Sequence, residues 1–489
     1  MDDVQQRARR TAATANPGAR ATASTGQAGG TMPGTTTGTT GGTPPVQSGA
    51  ATRAGSRGNN LDDVRRNNLS AVLGLVHTTG PVSRAQLTAS TGLNRSTVGA
   101  LVGELVSLGL VTEREPDTTK QVGRPSLVIA PGQRTVALAV NPELDAVTIG
   151  LVGLGGQVLK RIRYDTLHVP TAPEVVNIVS AVVAGMRDEL ESNYATVGVG
   201  LAVPGLVRAG DGLVKLAPHL GWQNEPLAEM LQDALRLPVF AANDAAVGAL
   251  AESLFGAGRG VSDLIYLNGG ASGIGGGVVS RGALLTGESG YAGELGHTLV
   301  NSVGVPCHCG STGCLETEVR RAPLLEALGL PASRAEELEA VLISRFSGRG
   351  GDADADARVD ADAAAGPAEA ATAAETTASS TASAPHTTDP ALQSIVDAQI
   401  DFLAIAVRNA VNLCNPELLV LGGFLGSLSA VASDRLERAV ARTAAPGGWP
   451  VTRISRSSLG VDRLMIGAAE LAFAPVLSDP AGTMAALAV

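Results

Sequence analysis

Cysteine is scarce in this chain, four in 489 residues. With no signal-peptide pattern at the start either, an oxidising compartment and a disulfide framework are not expected. Long apolar runs are missing too. No stretch of about 18 apolar residues is free of charges and breakers, so no membrane span is expected and the chain reads as cytoplasmic. Positive charge is the third deficit, since 36 Lys and Arg stand against 46 Asp and Glu, a formal charge of -10. That balance excludes a protein that coats nucleic acid by charge alone, though not a small DNA-reading domain on an acidic body. The length leaves room for two or three domains.

Residues 1–60 are Gly, Thr, Ala and Ser with almost nothing to bury, and are expected to be a disordered tail. Its six arginines against Asp2 and Asp3 make it mildly basic. A second low-complexity stretch, about 347–390, interrupts two helical patterns and reads as a disordered insertion. Between and after these lie a helical unit at 61–134 and an α/β body at 135–475, with 476–489 as a second tail. In the body, Val197–Pro204, Asp263–Asn268 and Leu418–Gly423 are short apolar strands running into turns or loops. Strands of that kind alternating with helices define an α/β fold.

In the first unit, Leu69, Val72, Leu73 and Val76 mark one helix face, and Val98, Leu101, Val102 and Leu105 mark another. Ser83-Arg84-Ala85-Gln86 is a capping box after Pro81, and Thr91-Gly92-Leu93 is a sharp turn. This is the order of a helix-turn-helix, whose last helix meets base edges with its N-terminal residues. Arg95 and Asn94 are the candidate base contacts; Ser96 and Thr97 belong nearer phosphate or the helix cap, and Arg84 also faces DNA. Leu110–Arg114 and Ser126–Ile129 read as two strands flanking a basic wing with Lys120, Gly123, Arg124 and Pro125. Arginine in such a wing suits the negative potential of a narrow minor groove. The unit holds eight basic and six acidic side chains, a net +2.

Three of the four cysteines fall between positions 307 and 314, ten residues after His297. His297, Cys307, Cys309 and Cys314 make a closed tetrahedral set of the kind that holds structural zinc. Cys414, in Val411-Asn412-Leu413-Cys414, is expected to be a buried apolar residue outside that set. The run Gly293-Glu294-Leu295-Gly296-His297 with Cys307-x-Cys309-Gly310-x-x-Gly313-Cys314-Leu315-Glu316 resembles the zinc loop of the ROK family of repressors and sugar kinases. Gly123-Arg124-Pro125 resembles the wing of its repressors. The resemblance covers nearly all the ordered chain, from about Leu61 to Ala474. It implies a winged helix-turn-helix joined to a two-lobed, actin-like (ribonuclease H-like) sugar-kinase fold. It also implies that Gly205, Asn243, Asp244, Glu294, His297 and Glu316 line a sugar cleft, with His297 serving both zinc and sugar. His219 stands where the family usually has asparagine.

In the family's kinases an aspartate at the Asp244 position is the catalytic base, and a first phosphate turn reads Asp-x-Gly-x-Thr. Here the corresponding stretch is Val140-Asn141-Pro142-Glu143-Leu144-Asp145. Proline removes an N–H that could meet phosphate, and Glu143 and Asp145 repel it. The second phosphate segment, Gly269–Gly277, keeps its glycines, which alone is weak evidence of nucleotide binding. The expectation is a sugar-responsive transcriptional repressor, not an enzyme. Its partners are operator DNA and a sugar or sugar phosphate, and it forms a homodimer or homotetramer. An ATP-dependent hexose kinase with a DNA-binding head is the alternative, and a regulator answering to a protein partner is a third.

Overall fold

The computed structural model describes residues 61–115, 127–346, 389–441 and 452–487. The wing residues Lys120, Gly123, Arg124 and Pro125, the 1–60 tail and residues 347–388 of the insertion lie outside them. The head is built as its spacing requires. α1 (Leu61–Thr79) and α3 (Arg95–Ser107) bury the two predicted apolar faces. Between them stand β1 (Val82–Ser83) and α2 (Arg84–Thr91). Ser83 and Gln86 form the capping box, and Gly92 ends α2 in the left-handed conformation at φ 70. β2 (Val111–Arg114) and β1 both pair antiparallel with β3 (Val128–Pro131).

The body is two lobes of one plan. In lobe 1, β4 (Thr135–Pro142), β5 (Ala146–Gly153) and β6 (Gln157–Asp165) form an antiparallel meander. α4 (Ala172–Gly185) and α5 (Arg187–Asn193) lead to β7 (Ala195–Val203). A side sheet of β8 (Leu206–Val207), β9 (Val214–Ala217) and β10 (Trp222–Glu225) follows, then α6 (Leu227–Leu235) and β11 (Val239–Asn243). The main sheet runs β6-β5-β4-β7-β11, with β4, β7 and β11 parallel. α7 (Asp244–Leu254) then crosses to lobe 2. There β12 (Leu264–Gly270), β13 (Gly273–Ser280) and β14 (Ala283–Leu284) repeat the meander. α8 (Leu315–Glu318), α9 (Arg321–Leu328), α10 (Leu338–Phe346) and α11 (Pro390–Cys414) precede β15 (Leu418–Gly423). α12 (Phe424–Ala441) and β16 (Arg453–Arg456) complete a sheet ordered β14-β13-β12-β15-β16. Each sheet thus runs third-second-first-fourth-fifth in chain order, the duplicated layout of the actin-like fold. α11 is long and apolar enough to cross a membrane by length and composition alone. Its Leu392, Val396, Ile400, Leu403 and Val407 nevertheless lie in the core of lobe 2.

Residues 476–478 and 480–487, expected to belong to a tail, are helical: α13 (Arg463–Ser478) runs on past Pro475, and α14 (Pro480–Leu487) follows. Cys414 corrects another expectation. It closes α11 with its side chain exposed, because Asn415 turns the chain into the left-handed region at the surface.

The two connecting helices exchange lobes. α7 follows the last strand of lobe 1 but packs on lobe 2, where Gly275 and Gly277 leave room for Ala245 and Ala249. α13 follows lobe 2 but packs on the lobe 1 sheet, with Met465 against Gly150 and Ala468 against Gly200. The helices touch where Gly467 meets the Val247 carbonyl, too close for any side chain. Glu252 of α7 fastens this crossing. Fully buried, it accepts from Ser457 Oγ at 2.5 Å, from the Ser458 and Leu459 backbone N–H groups at 3.1 Å each, and from Ala257 N at 2.8 Å. Removing the carboxylate leaves a fully buried position empty and several part-buried donors without their acceptor. Glu252→Ala is therefore expected to cost about 3–5 kcal/mol, read as a lower urea midpoint with unchanged slope.

Candidate functional site

The Cys/His loop leaves β14 and returns through α8. Gly293 lies against Gly276 of β13, Leu295–His297 make one 3₁₀ turn, and the bridges Leu299↔Cys314 and Pro306↔Thr312 close the loop. Gly313, at φ 70 and packed on the Asn301 carbonyl, admits no side chain. Glu318 pins the base by accepting from Val305 N at 2.7 Å and Asn301 Nδ2 at 3.0 Å.

The ligand atoms of His297, Cys307, Cys309 and Cys314 all lie within 4.8 Å of one another. Cys307 Sγ is 3.5 Å from His297 Nδ1, and Cys309 Sγ is 3.7 Å from Cys314 Sγ. A tetrahedral ion with bonds of about 2.3 Å to sulfur and 2.0 Å to nitrogen spaces its ligands about 3.5–3.8 Å apart, so the set fits zinc. A disulfide requires about 2.05 Å, and all four cysteines are free.

The loop carries Glu294 into the neighbourhood of Asp244, and Glu316 into that of Glu294. His297 divides its ring between two tasks: Nδ1 faces the cysteines, while Nε2 lies 3.9 Å from Glu294 Oε2. Glu316 Oε1 is 3.2 Å from Cys307 Sγ and 3.1 Å from His308 Nδ1, and its Oε2 sits over Gly273 at the start of β13. Asp244 opens α7, with Oδ1 accepting from Ala245 N at 2.8 Å. Enclosure of this carboxyl raises its pKa to about 6, against the lowering effects of the Ala245 N–H and the Arg463 guanidinium. Burial, then the like charge of Glu316, also raises Glu294.

Two expected cleft residues have structural occupations. Asn243 caps α7 through Oδ1, 3.0 Å from Ala246 N, while its Nδ2 donates to the Gly205 carbonyl at 3.0 Å. It thereby fixes the turn after β7. Gly205 is glycine because a side chain there would strike Leu216 and Ala217 of β9. The Gly269–Gly277 run forms the β12–β13 hairpin, and packing explains much of its composition. Side chains at Gly269, Gly275, Gly276 and Gly277 would meet Phe424, Ala245, the Gly293 carbonyl and Ala249. At the first phosphate position, Asn141 Nδ2 donates to Glu143 Oε1 at 2.8 Å. Arg163 pairs with Glu143, and with Asp145 at 3.0 Å, which answers their charge.

On the head, Asn94 caps α3, accepting from Thr97 N at 2.8 Å and Ser96 Oγ at 2.7 Å. Its oxygen is thus committed to the helix, while Arg95 and Ser96 stand exposed at the first turn. Arg84, at the start of α2, is also exposed and is ion-paired with Glu113.

Sequence reasoning missed Arg463, His308 and Glu252, and marked His219 only as a departure from the family pattern. Arg463 donates through Nη2 to Asn268 Oδ1 at 3.2 Å and through Nη1 to the Gly460 carbonyl at 2.7 Å. A lone cation opening an apolar helix was the only signal, and Asn268 stands 195 residues away. His219 and His308 meet edge to face across the lobes, centroids 5.5 Å apart. Burial, then His308, lowers the pKa of His219. Glu252 looked like any helix-end charge.

The ROK family profile matches residues 139–474, more than two thirds of the chain. The chain is 32% identical over 249 residues to the xylose repressor of Caldicellulosiruptor bescii, spanning 50% of this chain and 62% of that protein. It is 30% identical over 325 residues to the glucokinase of Thermotoga maritima, spanning 66% of this chain and 93% of that enzyme. Its fold resembles a crystal structure of a ROK family transcriptional regulator, a homolog of the E. coli MLC protein. The TM-score is 0.63 at 23% identity, over 87% of this chain and 98% of that one.

Proposed function

Because the chain belongs to the ROK family, we propose that it is a sugar-responsive transcriptional repressor. Its winged head reads operator DNA, and a sugar or sugar phosphate in the cleft changes the head's affinity. The observation that carries this reading is one chain holding both a helix-turn-helix head and a cleft with Asp244, Glu294 and Glu316 on converging elements. Carboxylates suit vicinal hydroxyls because a hydroxyl that donates to them still accepts from a neighbour. Arg95, at the exposed start of α3, is the proposed base reader, with Arg84, Ser96 and Thr97 beside it, Asn94 as cap, and Lys120 and Arg124 in the wing. A homodimer fits a partly palindromic operator.

Zinc, held by His297, Cys307, Cys309 and Cys314, would supply no chemistry beyond fixing the loop. Its residues would do the rest. A Cys307 thiol donates to Glu316, whereas a ligating thiolate does not, which frees one acceptor direction of an oxygen that also faces His308. His297, fixed through Nδ1, would offer Nε2 to the same ligand.

The pKa of Asp244, about 6, gives a pH signature. Only the ionised carboxylate accepts from a hydroxyl in both lone-pair directions. Sugar affinity is therefore expected to hold at pH 7.5 and to fall as pH drops below about 6, by up to about tenfold per unit. The sign for stability runs the other way. A raised folded-state pKa contributes stability at low pH that is lost as pH rises through about 6, so the apo protein gains from acidification at this residue.

A kinase reading is favoured by that same Asp244, whose pKa lies in the range of a general base, and opposed by Asn141-Pro142 at the first phosphate turn. Calorimetric titration of xylose, glucose, N-acetylglucosamine and their phosphates, run beside an ATP-turnover assay, separates the two. Sugar binding without turnover supports the regulator. Sugar-dependent ATP turnover abolished in Asp244→Asn supports the kinase, and no binding by any of these sugars defeats both.

A further inference from the structure

The head does not hang on a free tether. Its core, from Leu69 to Ile129, is continuous with the lobe 1 face that carries Met465, Ala468, Ala472 and Phe473 of α13. At the centre of this seam lies His77, in the last turn of α1 and 1% exposed. Its Nδ1 accepts from the backbone N–H of Gly155 at 2.9 Å. The ring proton must then reside on Nε2, which donates to Glu470 Oε2 at 2.9 Å. Phe255 and Phe473 enclose the imidazole edge-on, with centroids at 5.3 and 5.8 Å. Beside it, Arg259 donates to the Thr79 carbonyl at 2.8 Å, so the end of α1 is held by the segment after α7 as well.

The elements that grip α1 are those that open in the cleft. α7 begins with Asp244 and is capped by Phe255; α13 begins with Arg463 and carries Glu470 two turns later. At 1.5 Å rise per residue the joint lies about 10–16 Å along these helices from the cleft. Glu252 and the Gly467–Val247 contact tie the two helices to each other. The joint is also not fully satisfied, because Glu470 Oε1 is buried with no hydrogen-bond partner. A buried acceptor left unmet costs free energy that a displacement of α13 bringing it a donor would recover.

We propose that the His77–Glu470 hydrogen bond is the joint through which α7 and α13 transmit rearrangement of the cleft to the DNA head. As an account of regulation this rests on the proposed function. As a property of the chain it is testable without sugar or DNA.

The test is hydrogen–deuterium exchange on the full chain, with the cleft perturbed by Arg463→Ala or, from the other helix, Asp244→Asn. Each change is expected to speed exchange in the last two turns of α1 by about fivefold or more, while α11 stays unchanged. Glu470→Gln retains an acceptor for His77 and should preserve the response. Glu470→Leu, or His77→Gln from the head side should the former not fold, should abolish it. No change in α1 on either cleft substitution would overturn the proposal, as would a response of full size in Glu470→Leu or His77→Gln. Failure of sugar or DNA binding elsewhere would leave these outcomes as they stand.

Discussion

Replacing Cys314 by serine is expected to empty the metal centre and with it the sugar site. Bound zinc, measured by elemental analysis, should fall from about one ion per chain to less than about a tenth, because a closed four-ligand site draws most of its affinity from thiolate. Cys314 is fully buried, caps α8, and stands two residues before Glu316. Losing the ligand frees the loop that holds Glu294, His297 and Glu316. Sugar affinity should therefore drop about 100-fold, the upper range for disturbing a ligand's supporting groups. The two lobe cores are built from other residues, so far-UV circular dichroism should be retained. Normal sugar affinity in a zinc-free Cys314→Ser protein would separate loop from cleft.

The second large effect is expected from Asp244→Asn. The amide keeps the volume and one acceptor, but loses the charge that makes a buried hydroxyl bond strong. Hydrogen bonds to a charged group contribute about 1.5–3 kcal/mol, so sugar affinity should fall about 10- to 150-fold. The folded protein should be slightly more stable without ligand at pH 7.5, because burial of the carboxylate is no longer opposed only by Arg463 and the Ala245 N–H. Calorimetry and thermal unfolding on one sample read both signs. Unchanged affinity would place the sugar elsewhere.

Much of this was legible in the residues. The two head helices, the Ser83–Gln86 box and the apolar strands declared themselves because each is a local pattern: helical period, cap spacing, β-rich runs. The His/Cys cluster was legible because its four residues lie within 18 positions. What stayed hidden depends on chain crossings. His77 and Glu470 are 393 residues apart, and nothing local distinguishes a buried histidine from one on a solvated last turn. The glycines of β13 looked like a phosphate cradle, yet several are small because α7 and the Glu294 loop lie on them. α14 was lost behind Pro475 and Pro480, which punctuate a helix pair that tertiary packing keeps in place.

The central claim is that occupancy of the cleft sets the affinity of the head for DNA. Its most direct test is fluorescence anisotropy of the full chain on DNA from upstream of its own gene, at fixed salt. It is run with and without whichever of the titrated sugars binds, for the native chain and Asp244→Asn. The account predicts specific binding that saturating sugar changes about 5- to 150-fold in the native chain, and a variant whose DNA affinity the same sugar concentration leaves unchanged. Specific DNA affinity that is identical with and without bound sugar, or no specific binding to any fragment, would contradict it.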